Sequence, residues 1–256
     1  MSDLSTRTRS PSRIPNGSPA PPTDGLDCPR VPWAEVWPEF VAGWDQGEHV
    51  VILGITGSGK THLALDILEK RVRYRQAFVM ALGTKARDKT LRDTGWPIVR
   101  RWPPTWAQRQ THHIIFWPPY SKPSLAKATT TPILTEMLDE IMLEGGWTLF
   151  VDEMAYLVES LGQRHVLDEY WNGARSSGVS LIAGTQRPTW LARSAVSQVG
   201  WVACFRINDL DDRLRAGEIM GDRRRYAELI GTLSRERHEF LLVRTLTDRC
   251  VITSVD

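Results

Sequence analysis

Short apolar runs alternate with amphipathic stretches along most of this chain. The strand-like runs cover residues 49–53, 77–82, 113–117, 147–151, 179–183 and 200–205, with an ambiguous run at 97–101. Stretches with helical spacing, such as 61–71 and 132–143, lie between them. Strands that alternate with helices predict an α/β fold with a mostly parallel sheet. The run 147–151 is apolar on both faces of the strand, which is typical of a central parallel strand.

The two ends of the chain follow different patterns. Residues 238–245 and 250–254 flank the turn Leu246-Thr247-Asp248, so we predict a C-terminal β-hairpin. Residues 1–30 are rich in Pro, Ser and Thr and poor in apolar side chains, which predicts a disordered N-terminal tail. Residues 31–256 are then predicted to form a single folded domain.

Four aromatic residues open this domain at spacings of four, three and four: Trp33, Trp37, Phe40 and Trp44. Because proline is tolerated only in the first turn of a helix, Pro38 predicts short helical pieces here rather than one helix. These aromatic side chains serve either in packing or in stacking on a nucleobase.

Composition excludes several classes of protein. The hydrophobic fraction of 41% permits a sizeable core, and no apolar run approaches the ~20 residues of a membrane span. The N-terminus has no apolar segment of the secretory kind. Three cysteines in no metal-binding pattern suit a reduced, cytoplasmic protein.

Charge is unevenly distributed although the net charge is only +2. Residues 71–110 contain ten Lys and Arg but only two acids, Asp88 and Asp93. This stretch is either a surface for a polyanion or an ordinary solvated surface. Lys85, within this stretch, follows the strand 77–82. It is either a contact to DNA or to a neighbouring subunit, or an ordinary solvated lysine.

The strand 49–53 leads into the most specific motif of the chain. Residues 54–61 read GITGSGKT and match the phosphate-binding loop G-x-x-x-x-G-K-[ST]. Its glycines let backbone N–H groups curl around phosphate oxygens, and the following helix adds a positive N-terminus. Lys60 would reach the β- and γ-phosphates, and the Thr61 hydroxyl would bind Mg²⁺. We therefore predict an ATP site made by Thr56, Gly57, Ser58, Gly59, Lys60, Thr61 and His62.

A pair of acids, Asp152 and Glu153, follows the central strand 147–151. Asp152 would hold Mg²⁺, and Glu153 would polarise the water that attacks the γ-phosphate. An acid that activates water disfavours a small-molecule kinase and favours an ATPase. The alternative is structural: Asp152 as a helix N-cap with Glu153 in the first helical turn.

Gln186 comes at the end of the next predicted strand, 179–183. Ligands of open α/β sheets bind at the carboxyl ends of the strands, so Gln186 is expected beside the other two motifs. An amide at that position can bond both the γ-phosphate and the attacking water, and so sense hydrolysis.

The tract 173–188, GARSSGVSLIAGTQRP, resembles the FtsK/HerA superfamily of DNA-pumping P-loop ATPases. The resemblance covers residues 47–206, and the compact size is similar to the small ATPases of phages and mobile elements. It implies a RecA-like three-layer fold, double-stranded DNA as the partner, and ATP hydrolysis with Mg²⁺. It also implies a homo-oligomer in the form of a hexameric ring, in which Arg175 is an arginine finger for the site of a neighbouring subunit. Arg187 is the rival candidate for the finger. The competing hypothesis is an ATP-gated assembly or regulatory ATPase that acts on a protein partner.

Overall fold

A computed structural model describes residues 28–119, 122–191 and 193–255, and these residues build one nine-stranded sheet. The strands are β1 (His49–Leu53), β2 (Phe78–Leu82), β3 (Ile98–Val99), β4 (His113–Phe116), β5 (Trp147–Val151), β6 (Ser180–Thr185), β7 (Val199–Phe205), β8 (Phe240–Arg244) and β9 (Arg249–Thr253). Their order is β3-β4-β2-β5-β6-β1-β7-β8-β9. The sheet is parallel from β3 to β7, and β8 and β9 are antiparallel. The predicted α/β fold with a C-terminal hairpin is confirmed.

Helices connect the strands on both faces of the sheet. They are α1 (Trp33–Gly43), α2 (Lys60–Arg75), α3 (Lys89–Asp93), α4 (Trp106–Arg109), α5 (Pro123–Glu144), α6 (Arg164–Gly173), α7 (Arg193–Gln198), α8 (Leu210–Ile219) and α9 (Arg223–Thr232). A π-helical turn covers Tyr156–Ser160, and a 3-10 turn covers Pro188–Trp190. Within the described ranges, none of the helices combines the length and the apolar character that crossing a bilayer requires.

The core has two halves, one on each face of the sheet. Val50 and Ile52 of β1 pack with α1 and α2, whereas Val51 and Leu53 pack with α5, α6, α8 and α9. Because successive side chains of a strand point to opposite faces, β1 contributes to both halves. This arrangement is the three-layer architecture that the resemblance implied.

Helix α1 is continuous, so the prediction of short helical pieces around Pro38 was wrong. The proline lacks an N–H and costs about 3 kcal/mol inside a helix. Burial of the aromatic face offsets this cost, since Phe40 and Trp44 are completely buried and each buried side chain contributes about 1.5–3 kcal/mol. Trp33 further donates to Asp66 of α2 through Nε1 at 2.7 Å.

Helix α5 begins nine residues before the predicted stretch 132–143, and Pro132 lies inside it. The predicted part is the part that is buried, through Leu134, Met137 and Ile141. Residues 124–131 are mostly exposed, so they carry no apolar stripe that a periodicity argument would detect.

The folded chain is already in place at Cys28, three residues before the predicted start at Val31. Arg30 forms a parallel bridge with Ile252 of β9, and Val31 N donates to Ile252 O at 2.9 Å. Cys28 is buried there, and all three cysteines are free thiols. The remainder of the predicted tail, residues 1–27, lies outside the described residues.

Candidate active site

The phosphate-binding loop joins β1 to α2 at the carboxyl edge of the sheet. Gly57 and Gly59 have φ angles of 76° and 106°, a region that favours glycine. A Cβ atom on Gly59 would lie 3.3 Å from Cε1 of Phe205, so this position also needs a small residue. Gly59 precedes the first helical residue, so the positive end of α2 faces the loop.

Lys60 is a buried cation at this helix N-terminus, with 7% of its surface exposed. Its Nζ donates to the carbonyl oxygens of Gly54 at 2.7 Å and Ile55 at 3.0 Å. Burial lowers the pKa of Lys60, and the negative charges of Asp152 and Glu153 partly oppose that shift. An anion bound in the loop would replace the two carbonyl oxygens with stronger, charged partners.

The acids Asp152 and Glu153 emerge where β5 ends at Val151. Oδ1 of Asp152 accepts from the Thr61 hydroxyl at 2.7 Å, which joins the acid to the first turn of α2. Oε1 of Glu153 accepts from the Thr185 hydroxyl at the end of β6, at 3.1 Å. The adjacent strands β5 and β6 therefore hold the pair in place.

Gln186 follows β6 directly, and its Oε1 accepts from the Thr56 hydroxyl at 2.9 Å. This bond connects the end of β6 to the phosphate-binding loop. The amide thus lies beside the loop, as its position after the strand predicted.

A cleft of about 580 Å³ opens between these groups. It is lined by Thr56, Gly57, Gly59, Lys60, Thr61, His62, Asp152, Glu153 and Gln186 among the predicted residues. Ser58 is the exception, because it is buried and its carbonyl faces His238, whose Nδ1 lies 3.1 Å away. The loop, the acids and the amide that the sequence placed at one edge do share one cavity.

Several lining residues were not predicted at this site from the sequence: Leu63, Lys85, Asp88, Thr90, Phe205, His238 and Val255. Two of them lie at the carboxyl ends of strands, where ligand sites of α/β sheets are expected: Phe205 ends β7, and Lys85 follows β2. His238 and Val255 flank the hairpin β8–β9, and no local pattern marks them. The segments that enter and leave the hairpin therefore border the cleft.

Lys85 keeps 55% of its side chain exposed, and its ammonium group lies at the cleft beside the acids. Its Nζ donates to Oδ2 of Asp152 at 2.6 Å and lies 3.7 Å from Oδ2 of Asp88. Burial opposes its charge, but the hydrogen bond and charge of Asp152, with Asp88 and Glu153, outweigh burial and raise the pKa of Lys85.

The two candidate arginine fingers lie at opposite edges of the sheet. Arg175 is exposed in the turn before β6, beside Gly47, which precedes β1. The six residues of β6 separate it from the cleft by roughly 20 Å, so it is not part of the site of its own chain. Arg187 lies at the cleft edge, where its charge partly offsets the raised pKa of Asp212 in α8.

The basic stretch 71–110 is not one continuous surface. Arg71 is buried with 1% of its surface exposed, and Lys85 is bound to Asp152. Arg92 and Arg100 lie against the Trp117 ring, 5.5 and 5.4 Å from its centroid. Some of the positively charged side chains in this stretch therefore contact groups of the protein itself.

Thr61 and Asp152 have the chemistry of a magnesium site. Their oxygen atoms are 2.7 Å apart, and Mg²⁺ prefers oxygen ligands and is bound through one or two protein groups plus water and substrate phosphates. Nowhere in the part of the chain that the structure describes, including this site, do three or more His, Cys, Asp or Glu side chains form a group that could hold a metal. A cation that shares its ligands with a nucleotide fits this donor set.

This chain resembles known proteins in its fold and not in a detectable similarity of sequence. No protein-family model matches the sequence, and no curated protein matches it. The DNA-packaging ATPase B204 of Sulfolobus turreted icosahedral virus is 18% identical with a TM-score of 0.60, over 82% of this chain and 98% of that one. The corresponding NTPase of Sulfolobus turreted icosahedral virus 2, in complex with AMPPCP, is 14% identical with a TM-score of 0.60, over 81% and 97%.

A third similar structure is VirB4 of Thermoanaerobacter pseudethanolicus, which is 12% identical with a TM-score of 0.60, over 81% of this chain and 89% of that one. This chain therefore shares the fold of the DNA-packaging ATPase B204 and of VirB4. The resemblance drawn from the sequence is thus confirmed for the fold. At 12–18% identity the likeness establishes the fold alone, and the chemistry depends on the residues of the site.

Proposed function

We propose that this protein is an ATP-hydrolysing motor of the FtsK/HerA type that moves double-stranded DNA as a ring of identical subunits. One observation carries the proposal. Lys60, Asp152, Glu153 and Gln186 come from three neighbouring strands, β1, β5 and β6, and line one cleft at their carboxyl ends. This set contains a phosphate-binding cation, a cation ligand, a base for water and an amide sensor.

Nucleotide binding uses the loop and the N-terminus of α2. Backbone N–H groups of the loop face the phosphates, and Lys60 exchanges its two carbonyl partners for phosphate oxygens. Thr61 and Asp152 would hold Mg²⁺, which neutralises charge on the β- and γ-phosphates. Phe205, His238 and Val255 line the cleft on the hairpin side.

Hydrolysis requires a water molecule in line with the γ-phosphate. Glu153 accepts a proton from this water as its oxygen bonds to phosphorus and the bond to the ADP oxygen breaks. The Thr185 hydroxyl orients Glu153 through Oε1, and Gln186 orients the water. Both partners of the water are thus fixed by the ends of β5 and β6.

DNA as the track is supported by the tract 173–188 and by the fold shared with a DNA-packaging ATPase. The test measures ATP hydrolysis with and without duplex DNA, and particle mass with a non-hydrolysable ATP analogue. We expect DNA to stimulate the rate and the analogue to promote a ring. Slow turnover that DNA leaves unchanged would contradict the motor and favour a regulatory ATPase.

Glu153→Gln is the matched control for this test. We expect it to bind ATP like the wild type and to hydrolyse it about 10²- to 10⁴-fold more slowly, because the base is lost while the shape is kept. Nucleotide affinity is measured with a fluorescent ATP analogue. Loss of binding instead of cleavage would assign Glu153 a structural role.

Arg175 is proposed to complete the site of a neighbouring subunit. Arg175→Ala should then reduce hydrolysis by roughly 10³-fold or more and leave ATP affinity unchanged. Mixing it with Glu153→Gln subunits should restore part of the activity, because some sites receive an intact base and an intact finger. Mixed rings without any rescue would point to Arg187 or to no finger in trans.

A further inference from the structure

The Asp152 carboxylate is held from two sides. Thr61 donates to Oδ1 at 2.7 Å, and Lys85 donates to Oδ2 at 2.6 Å. The two donors come from α2 and from the loop after β2, so each oxygen has its own partner. Only one of the two oxygens is therefore directed to the Thr61 side, where the proposed cation would bind.

The backbone that carries Lys85 is fixed by Trp117, which is almost completely buried. Trp117 Nε1 donates to the carbonyl oxygen of Lys85 at 2.8 Å. A Cβ atom on Gly83 would lie 2.5 Å from the Trp117 ring, so only glycine fits this approach. The loop is therefore packed onto the ring, and Lys85 extends from a fixed backbone position.

Asp88 supports Lys85 from the other side. Its Oδ1 accepts from Leu91 N at 3.1 Å and caps α3, and its Oδ2 lies 3.7 Å from Lys85 Nζ. The ammonium group thus lies between two carboxylates, at 2.6 Å from one and 3.7 Å from the other. This asymmetry identifies Asp152 as the principal partner.

We propose that Lys85 is a positioning residue of the nucleotide site that restricts Asp152 to a single oxygen, Oδ1, for the metal. The inference rests on the proposed function. A carboxylate with one available oxygen suits Mg²⁺, which demands near-ideal octahedral geometry. Ca²⁺ is larger and often takes both oxygens of a carboxylate, which Lys85 prevents here. Lys85 therefore contributes to the choice between the two cations.

The test is an equilibrium binding measurement without hydrolysis. A fluorescent ATP analogue is titrated in EDTA, in Mg²⁺ and in Ca²⁺, with all variants in the Glu153→Gln background. We expect Lys85→Met to reduce the gain in affinity that Mg²⁺ provides by about tenfold, the lower end for loss of a metal-ligand support. The gain in affinity that Ca²⁺ provides should fall less than this or should rise. The ratio of the Mg²⁺ gain to the Ca²⁺ gain should therefore decrease.

Two further variants keep the result interpretable. Lys89→Met removes a charge four residues later, at an exposed lysine paired with Asp93, and should behave like the unmodified background. Trp117→Phe removes the donor to the Lys85 carbonyl and should shift the metal preference in the same direction by less. A preference in Lys85→Met equal to that of Lys89→Met would overturn the proposal, even if Lys85→Met is less stable. If the background protein binds no nucleotide in any metal, the proposed function itself fails.

Discussion

The two ends of α2 each bury a cation, and the two cations are held in opposite ways. Lys60 at the first residue bonds two carbonyl oxygens and borders a cleft of about 580 Å³. Arg71, about 16 Å further along the helix, donates to five uncharged oxygens and stacks on the Trp44 ring at 3.7 Å. Its acceptors are Thr148 Oγ1, Trp44 O, Gln46 Oε1, Ser180 Oγ and Asp45 O.

The difference separates function from stability within a single element. Lys60 has few partners and open space in front of it, so a phosphate can replace the carbonyl oxygens. Arg71 has its donors occupied by fixed groups of β5, β6 and the segment before β1, so nothing can be exchanged. Burial of a cation therefore does not by itself indicate a binding site. Burial of a cation beside a polar cavity does.

Lys60→Met should give the largest effect. Loss of the cation beside the transferred phosphate should reduce ATP hydrolysis by at least about 10²- to 10³-fold. The urea midpoint should stay the same or rise, because an ammonium group no longer has to be buried. The control is Lys70→Met, in the same helix and paired with Asp66, which should leave hydrolysis unchanged. Equal rates in the two variants would disprove the assignment.

Arg71→Met should have the opposite profile. Several buried acceptors lose their donor at once, which should lower the free energy of unfolding by about 3 kcal/mol or more. Nucleotide affinity of the folded protein should remain within about twofold. Arg75→Met, one turn later with 40% of its side chain exposed, should cost less than about 1 kcal/mol. A comparable loss in both variants would remove the distinction between the two ends of α2.

The smallest expected effect is the pH dependence of stability that His49 causes. His49 begins β1, at the same edge of the sheet as the groups that bind Arg71. It is 2% exposed, and its Nδ1 accepts from Leu181 N at 3.1 Å. Burial lowers the pKa of His49 to about 4, from an ordinary value of 6.5. Between these values the unfolded chain binds more protons than the folded one, so its contribution to stability is complete above about pH 6.5 and lost as the pH falls towards 4.

The loss between pH 7 and pH 5 should be roughly 2 kcal/mol for this residue. His49→Asn keeps an acceptor near the Nδ1 position and does not titrate. Urea denaturation at the two pH values should therefore show a shallower decline in the variant. A decline as steep as that of the wild type would mean that His49 does not titrate during unfolding.

The sequence predicted the strand cores and the site better than the connections. Val50 to Leu53, the glycine-rich loop, Asp152 and Gln186 could all be placed because parallel strands bring their carboxyl ends to one edge. Helices α8 and α9 were not predicted, although Asp209 and Asp222 cap them in the usual way. Their capping signals were present, but their apolar faces are short.

The residues that sequence reasoning missed depend on long-range packing. Lys85 reaches Asp152 because Trp117 of the segment after β4 holds its backbone, and no local pattern records that contact. His238 lies against Ser58 across 180 positions of sequence. Arg175 was identified through the family resemblance, and its role in a neighbouring subunit stays a prediction.

Both borders of the sheet are poor templates for joining another sheet. At one border, β3 is only two residues long. At the other, β9 already pairs through Ile252 with Pro29 and Val31. Edge strands with free N–H and C=O groups are the usual route to strand-to-strand association. Within the described residues the sheet therefore offers little free edge for pairing between copies. We expect contacts between copies to use helices and loops, so that substitutions can disrupt them without disturbing the sheet.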